Sequence, residues 1–173
     1  MGRREQIIKE KEKQLREREE CATALKENLD LKKELLDNER YSFFISVIGS
    51  GHCKSEYVKA MGIDFWEQNL EKAVAAGEQI GKSRQEVYQE ISYAMVYIYE
   101  ALEIYDKAYD FLIEQVNGYA WISLYKVQSI VRKTGKSERL KSALYSRLAG
   151  DDLLPKNRVD FEKAKNWLVF EYK

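Results

Sequence analysis

The chain's only histidine, His52, lies in the segment Gly49-Ser-Gly-His-Cys-Lys-Ser55, where glycines and a lysine could hold a phosphate. A phosphate-binding loop needs four residues between its glycines and a Gly-Lys-Ser/Thr ending, whereas here one residue separates the glycines and a cysteine precedes the lysine. A histidine next to a cysteine in sequence also points away from it, and no acid is spaced to orient the imidazole as a base. We expect this segment to be a connection between helices.

Carboxylate pairs that could act as general acid and base occur by chance in a sequence with 34% charged residues. The two cysteines, Cys21 and Cys53, and the single histidine provide no local spacing for a zinc site or a disulfide framework. The sequence therefore predicts no catalytic residues, no metal site, no cofactor and a protein that is not an enzyme.

A second segment of interest is the basic stretch Ile130-Val-Arg-Lys-Thr-Gly-Lys-Ser-Glu-Arg-Leu140. It resembles the helix-turn-helix of bacterial DNA-binding proteins, with Gly135 in the turn and Ser137 as the cap of a basic second helix. The resemblance implies a DNA-reading hairpin at about 120–148, although Lys136 and Lys141 occupy positions where the motif has apolar residues. An ordinary helical hairpin with a solvated basic face fits the same residues. The candidate contacts to nucleic acid or to an acidic partner are Arg132, Lys133, Lys136, Arg139, Lys141 and Arg147.

Charge is distributed unevenly along a chain whose formal net charge is zero. Residues 1–40 carry 11 basic and 11 acidic side chains, residues 41–118 carry 6 and 12, and residues 119–173 carry 12 and 6. Like charges concentrated in one region repel each other and attract partners of opposite sign. The acidic middle and basic last third therefore predict two different surfaces.

Residues 1–40 predict a highly charged helical arm that can form a coiled coil. Apolar residues recur every seven positions, but the companion positions of the seam are mostly charged, so the apolar stripe is narrow. An isolated helix with so little to bury frays, which favours pairing with another copy. A solvated helix held by side-chain ion pairs is the alternative. The candidate self-association residues are Ile8, Leu15, Ala22, Leu25 and Leu29.

The rest of the chain, residues 41–173, predicts a helical bundle. Residues 41–48 are rich in aromatic and β-branched types and could form a strand, but no second strand is available to pair with them, so we interpret them as the end of the first helix. The spacing of Ser83 and Glu86, like that of Asp64 and Glu67, matches a helix capping box. We expect helices over about 55–61, 65–80, 84–116, 120–133, 138–148 and 159–171.

These patterns predict an all-α fold, namely a helical bundle with a long, partly projecting N-terminal helix. No apolar run approaches the roughly 20 residues needed to cross a bilayer, and we expect a cytoplasmic protein. The sequence favours a non-enzymatic protein-interaction module, an adaptor or an inhibitor of another protein, that forms homo-oligomers through the N-terminal helix. The alternative is a DNA-binding regulator that uses the hairpin at about 120–148.

Overall fold

The computed structural model of the protein describes residues 2–32, 54–118 and 121–172, and over these ranges it is helical without strands. The all-α prediction is confirmed. No helix in these ranges combines the length and the apolar character needed to cross a membrane. Residues 33–53, including the ambiguous stretch 41–48, lie outside the described residues. The helices are α1 Arg3–Lys32, α2 Lys54–Gln79, α3 Arg84–Ala101, α4 Tyr105–Gly118, α5 Leu124–Thr134, α6 Glu138–Ala149 and α7 Pro155–Asn166.

The chain divides into two compact units, residues 1–76 and residues 77–173. In the first unit, every described side chain from Gly2 to Glu20 is exposed, as a highly charged helix requires. The Arg18 guanidinium of α1 lies 3.4 Å from the Glu56 carboxylate of α2. This ion pair is exposed on both sides and contributes little to stability.

Helix α2 is kinked at Gly62, whose φ of 76° and ψ of 164° are not helical. The sequence predicted a helix that ends at about residue 61, and a residue without a β-carbon adopts this backbone most easily. Beyond the kink, Trp66 is fully buried and its indole N–H donates to the Val58 carbonyl at 3.0 Å. The bond satisfies the polar edge of the largest buried side chain in the unit.

The predicted single helix over 84–116 is wrong, because a turn at residues 102–104 separates α3 from α4. Glu103 adopts a left-handed backbone with φ of 60°. Its N–H donates to the Glu100 carbonyl at 3.0 Å, and the Ile104 N–H donates to the Tyr99 carbonyl at 2.9 Å. This pair of bonds is a Schellman motif, which normally has glycine at the left-handed position. Because the residue at this position is a glutamate, the sequence did not indicate that the helix ends here.

Helices α3 and α4 run antiparallel and pack closely. Gln89, early in α3, lies against Gly118 at the end of α4, where a β-carbon would collide with the glutamine side chain. Gly118 therefore permits this close approach, and its backbone is not left-handed. The ring of Phe111 lies 5.0 Å from Tyr88 and 5.7 Å from Tyr99, between centroids.

Helix α4 is the centre of the second unit, since it contacts α3, α5 and α6. The capping box predicted at the start of α3 is confirmed, with the Ser83 hydroxyl accepting from Glu86 N–H and the Glu86 carboxylate accepting from Ser83 N–H. An apolar stripe with steps of three or four residues runs along α3 and α4, and it is buried except around the turn, where Leu102 and Tyr105 are half-buried. Its buried members are Val87, Ile91, Ala94, Ile98, Tyr109, Leu112 and Val116.

The last helix begins earlier than the predicted residue 159, because Pro155 takes the first helical position, where its missing N–H costs nothing. Its Arg158 guanidinium donates to the carbonyls of Leu148 at 2.8 Å and Gly150 at 2.7 Å, which closes the end of α6. One turn of π-helix, Trp167–Glu171, continues from α7.

Candidate functional site

A small pocket opens on the second unit between α3, α4 and the segment that leads into α5. Its volume is about 90 Å³, enough for several water-sized groups and below the roughly 300–1,000 Å³ typical of small-molecule sites. The walls are aromatic, and its lining consists of Tyr93, Val96, Tyr97, Gln115, Trp121, Ser123 and Lys126.

The aromatic walls come from two distant parts of the chain. Tyr93 and Tyr97 are four residues apart on α3 and therefore project from the same face of the helix. Trp121 faces them from the segment before α5, with its ring centroid 5.7 Å from that of Tyr93 and an angle of 55° between the planes. Tyr93 is 39% exposed and Trp121 is 40% exposed, so both rings remain partly open to solvent.

Two local interactions fix the segment that carries Trp121. The amide of Gln115, itself a buried side chain on α4, donates to the Trp121 carbonyl at 3.1 Å. Two residues later, the Ser123 hydroxyl accepts from the Lys126 N–H at 3.4 Å and caps α5. The indole is therefore carried by a segment that is bonded to α4 on one side and leads into the first turn of α5 on the other.

The ammonium group of Lys126 lines the pocket and already has a carboxylate partner within the chain. The Nζ atom lies 2.6 Å from Glu100 Oε1 and 4.1 Å from the centre of the Tyr97 ring. Both charged side chains are about one fifth exposed, so water screens the pair only partly. The buried Oε2 atom of Glu100 has no hydrogen-bond partner within the described residues. The pocket thus combines aromatic walls with an internally neutralised ammonium.

Each of the six basic residues predicted to contact nucleic acid or an acidic partner has an intramolecular partner. Two guanidinium or ammonium groups lie over aromatic rings, and four form ion pairs of 2.7 to 3.0 Å. The pairs are Arg132 with Trp167, Lys133 with Tyr105, Lys136 with Asp106, Arg139 with Asp110, Lys141 with Glu138, and Arg147 with Asp152. Because each of the four ion pairs has at least one exposed partner, these pairs reduce the local positive charge more than they stabilise the fold.

The hairpin of α5 and α6 has the glycine turn that the sequence predicted, with Gly135 in the left-handed region at φ 67°. Ser137 occupies the predicted N-cap position of α6, but its side chain makes no capping hydrogen bond. Instead the Tyr109 hydroxyl of α4 accepts from the Leu140 N–H at 3.1 Å in a buried contact. The first turn of α6 is therefore held by α4, the same helix that supplies two of the carboxylates above.

The predicted self-association residues all lie in α1. Ile8 and Leu15 are 50% and 58% exposed, so both offer apolar surface. The side chains of Ala22, Leu25 and Leu29 lie outside the described set.

A shallow polar hollow on α2, about 550 Å³ in volume, is lined by Asp64, Glu67, Gln68, Glu71 and Lys72. Among the residues that the structure describes, no group of three or more His, Cys, Asp or Glu side chains could hold a metal ion.

The sequence did not predict the aromatic pocket. The available signal was the pair Tyr93 and Tyr97, which lies off the buried stripe of its own helix and is spaced by one turn. Comparison of the chain with protein-family models, with curated proteins and with solved structures finds no match.

Proposed function

We propose that the chain is a non-enzymatic protein-interaction module and that the aromatic pocket of the second unit is its binding surface. The observation that carries the proposal is the placement of Tyr93 and Trp121, two large rings fixed by the fold and left about 40% exposed. Tryptophan and tyrosine are the residue types that most often dominate the binding energy of protein interfaces.

The exposed part of these rings is large enough to matter for affinity. Aromatic side chains bury roughly 150–250 Å² each, so covering the exposed two fifths of one ring removes about 60–100 Å² from water. At about 25 cal/mol per Å², that contributes roughly 2 kcal/mol for each ring. The small volume of the pocket suits a single side chain of a partner better than a whole metabolite.

Self-association through α1 belongs to the same proposal. Ile8 and Leu15 occupy successive seam positions and are half exposed. Pairing with a second copy would cover both side chains. Association costs at least about 4 kcal/mol of free energy, so a dimer that buries so narrow an apolar seam is weak. A cytoplasmic location is consistent with this role and stays a prediction.

The pocket is tested by affinity capture from the native host with mass spectrometry. We compare the wild type, Trp121→Ala, and Tyr145→Ala, in which an exposed tyrosine outside the pocket is removed. We expect a partner that the wild type and Tyr145→Ala retain and that Trp121→Ala loses. Equal capture by all three proteins would contradict the assignment of the pocket, and a nuclease treatment separates protein from nucleic-acid partners.

The arm is tested by light scattering as a function of concentration. Leu15→Lys places a charge in the seam and should lower the average mass, whereas Gln6→Lys on the opposite face of the helix should not. An unchanged monomeric mass for wild type and both variants would remove self-association from the proposal.

A further inference from the structure

The rim of the aromatic pocket carries hydrogen-bond donors that the fold does not use. The Trp121 indole N–H and the Tyr93 hydroxyl make no hydrogen bond to another described residue, and both side chains are about two fifths exposed. Tryptophan can only donate through its ring nitrogen, and tyrosine hydroxyls donate readily. A ligand that satisfies this rim must offer hydrogen-bond acceptors next to apolar surface.

Charge at the pocket disfavours an ionic ligand of either sign. The Lys126 ammonium lines the site and lies 4.1 Å above the Tyr97 ring, so this part of the aromatic wall already contacts a cation and repels a second one. An anion would compete with Glu100, whose carboxylate lies 2.6 Å from the same ammonium. The ligand chemistry that remains is neutral.

The shape of the pocket favours a small ring on an extended chain. The Tyr93 and Trp121 rings meet at 55° and form a wedge rather than a flat platform. The volume of about 90 Å³ accepts a compact apolar ring, and the open rim allows the chain on either side to continue over the surface.

We propose that the pocket binds a proline-rich segment of a partner protein in the polyproline II conformation. Such a segment is neutral, presents pyrrolidine rings to aromatic grooves, and leaves its backbone carbonyls without internal hydrogen bonds, so they can accept from the rim. The partner is not a second copy, because the chain has one proline, Pro155, which occupies the first turn of α7. This inference rests on the proposed function and specifies its ligand.

The test uses the full chain and a capped decaproline peptide as the probe, with a neutral Gly-Ser peptide of equal length as control. Binding is followed by NMR at the Trp121 indole N–H, whose signal is assigned by its loss in Trp121→Phe. We expect decaproline to shift this signal in a saturable way and the Gly-Ser peptide to leave it unchanged. Tyr93→Ala should weaken decaproline binding by about tenfold or more, and Tyr145→Ala should not change it.

A wild-type indole signal that does not respond to millimolar decaproline, or that responds equally to the Gly-Ser peptide, would overturn the inference. The same holds if a trimethyl-lysine peptide shifts the signal and decaproline does not, because the pocket would then be a cation site. Capture of a partner that depends on Trp121, without decaproline binding, would overturn the proline assignment and leave the interaction module standing. If no partner is captured through Trp121 and decaproline does not bind, both the interaction module and the proline assignment are refuted.

Discussion

Replacing Tyr109 by phenylalanine tests whether α4 holds the first turn of α6. The substitution keeps the buried ring and removes only the hydroxyl, which accepts from the Leu140 N–H at 3.1 Å. Tyr109 is 2% exposed and Leu140 is fully buried, so water cannot easily replace the lost acceptor. An unsatisfied buried donor costs about 1–3 kcal/mol, and we expect a loss of stability in that range.

Native-state amide exchange measured by NMR is the appropriate assay, because the slowest core amides of the second unit report the free energy of unfolding of that unit by itself. In the Tyr109→Phe variant, the Leu140 amide should exchange at least about fivefold faster, as a loss of 1 kcal/mol implies. Tyr145→Phe is the matched control, since Tyr145 is 51% exposed and its hydroxyl lies at the surface. A loss below 0.5 kcal/mol, about the scatter of neutral surface changes, would refute the role of Tyr109.

Two further predictions concern the core and the basic hairpin. Ile98→Ala should destabilise the second unit by about 2–5 kcal/mol because the side chain is fully buried. Leu102→Ala should cost clearly less, because Leu102 lies in the turn and is half-buried. Equal losses of unfolding free energy for the two variants, measured by amide exchange, would contradict the broken helix. The DNA-binding alternative predicts tight duplex binding that weakens steeply with salt and loses sequence preference when Arg139 and Lys141 are both changed to alanine. Since both side chains are paired within the chain, we expect weak binding without sequence preference, measured by fluorescence anisotropy at two salt concentrations.

The sequence predicted the helix ends that are determined by residues close together in the chain. The Ser83 and Glu86 spacing gave the start of α3 because both partners of the capping box lie within one turn. Gly135 predicted the end of α5 for the same reason, because a residue with a left-handed backbone ends a helix at its own position. The turn at Glu103 was missed because a residue with a β-carbon takes the position that glycine usually marks.

The site depended on contacts that no short stretch of sequence contains. Tyr93 meets Trp121 only after α3 and α4 have packed antiparallel, and Lys126 reaches Glu100 across 26 residues. For the basic hairpin, the sequence indicated a site that the contacts between helices then changed. Its sequence suggested an open positive face, but the carboxylates of Asp106 and Asp110 on α4 lie against it. Neither outcome could be deduced from periodicity, which describes one helix at a time.

The central position of α4 has a consequence for the order in which the unit forms during synthesis. Helices α3 and α4 adjoin in sequence and can pair as soon as both have left the ribosome, whereas the Leu140 N–H that binds Tyr109 follows 22 residues after Gly118, the last residue of α4. At roughly 5–20 residues per second, that interval is about 1–4 seconds, far longer than the microseconds to milliseconds in which helical units with mostly local contacts fold. We therefore expect the α3–α4 pair to form first, with Asp106, Tyr109 and Asp110 in water, and the basic hairpin to pack onto it afterwards.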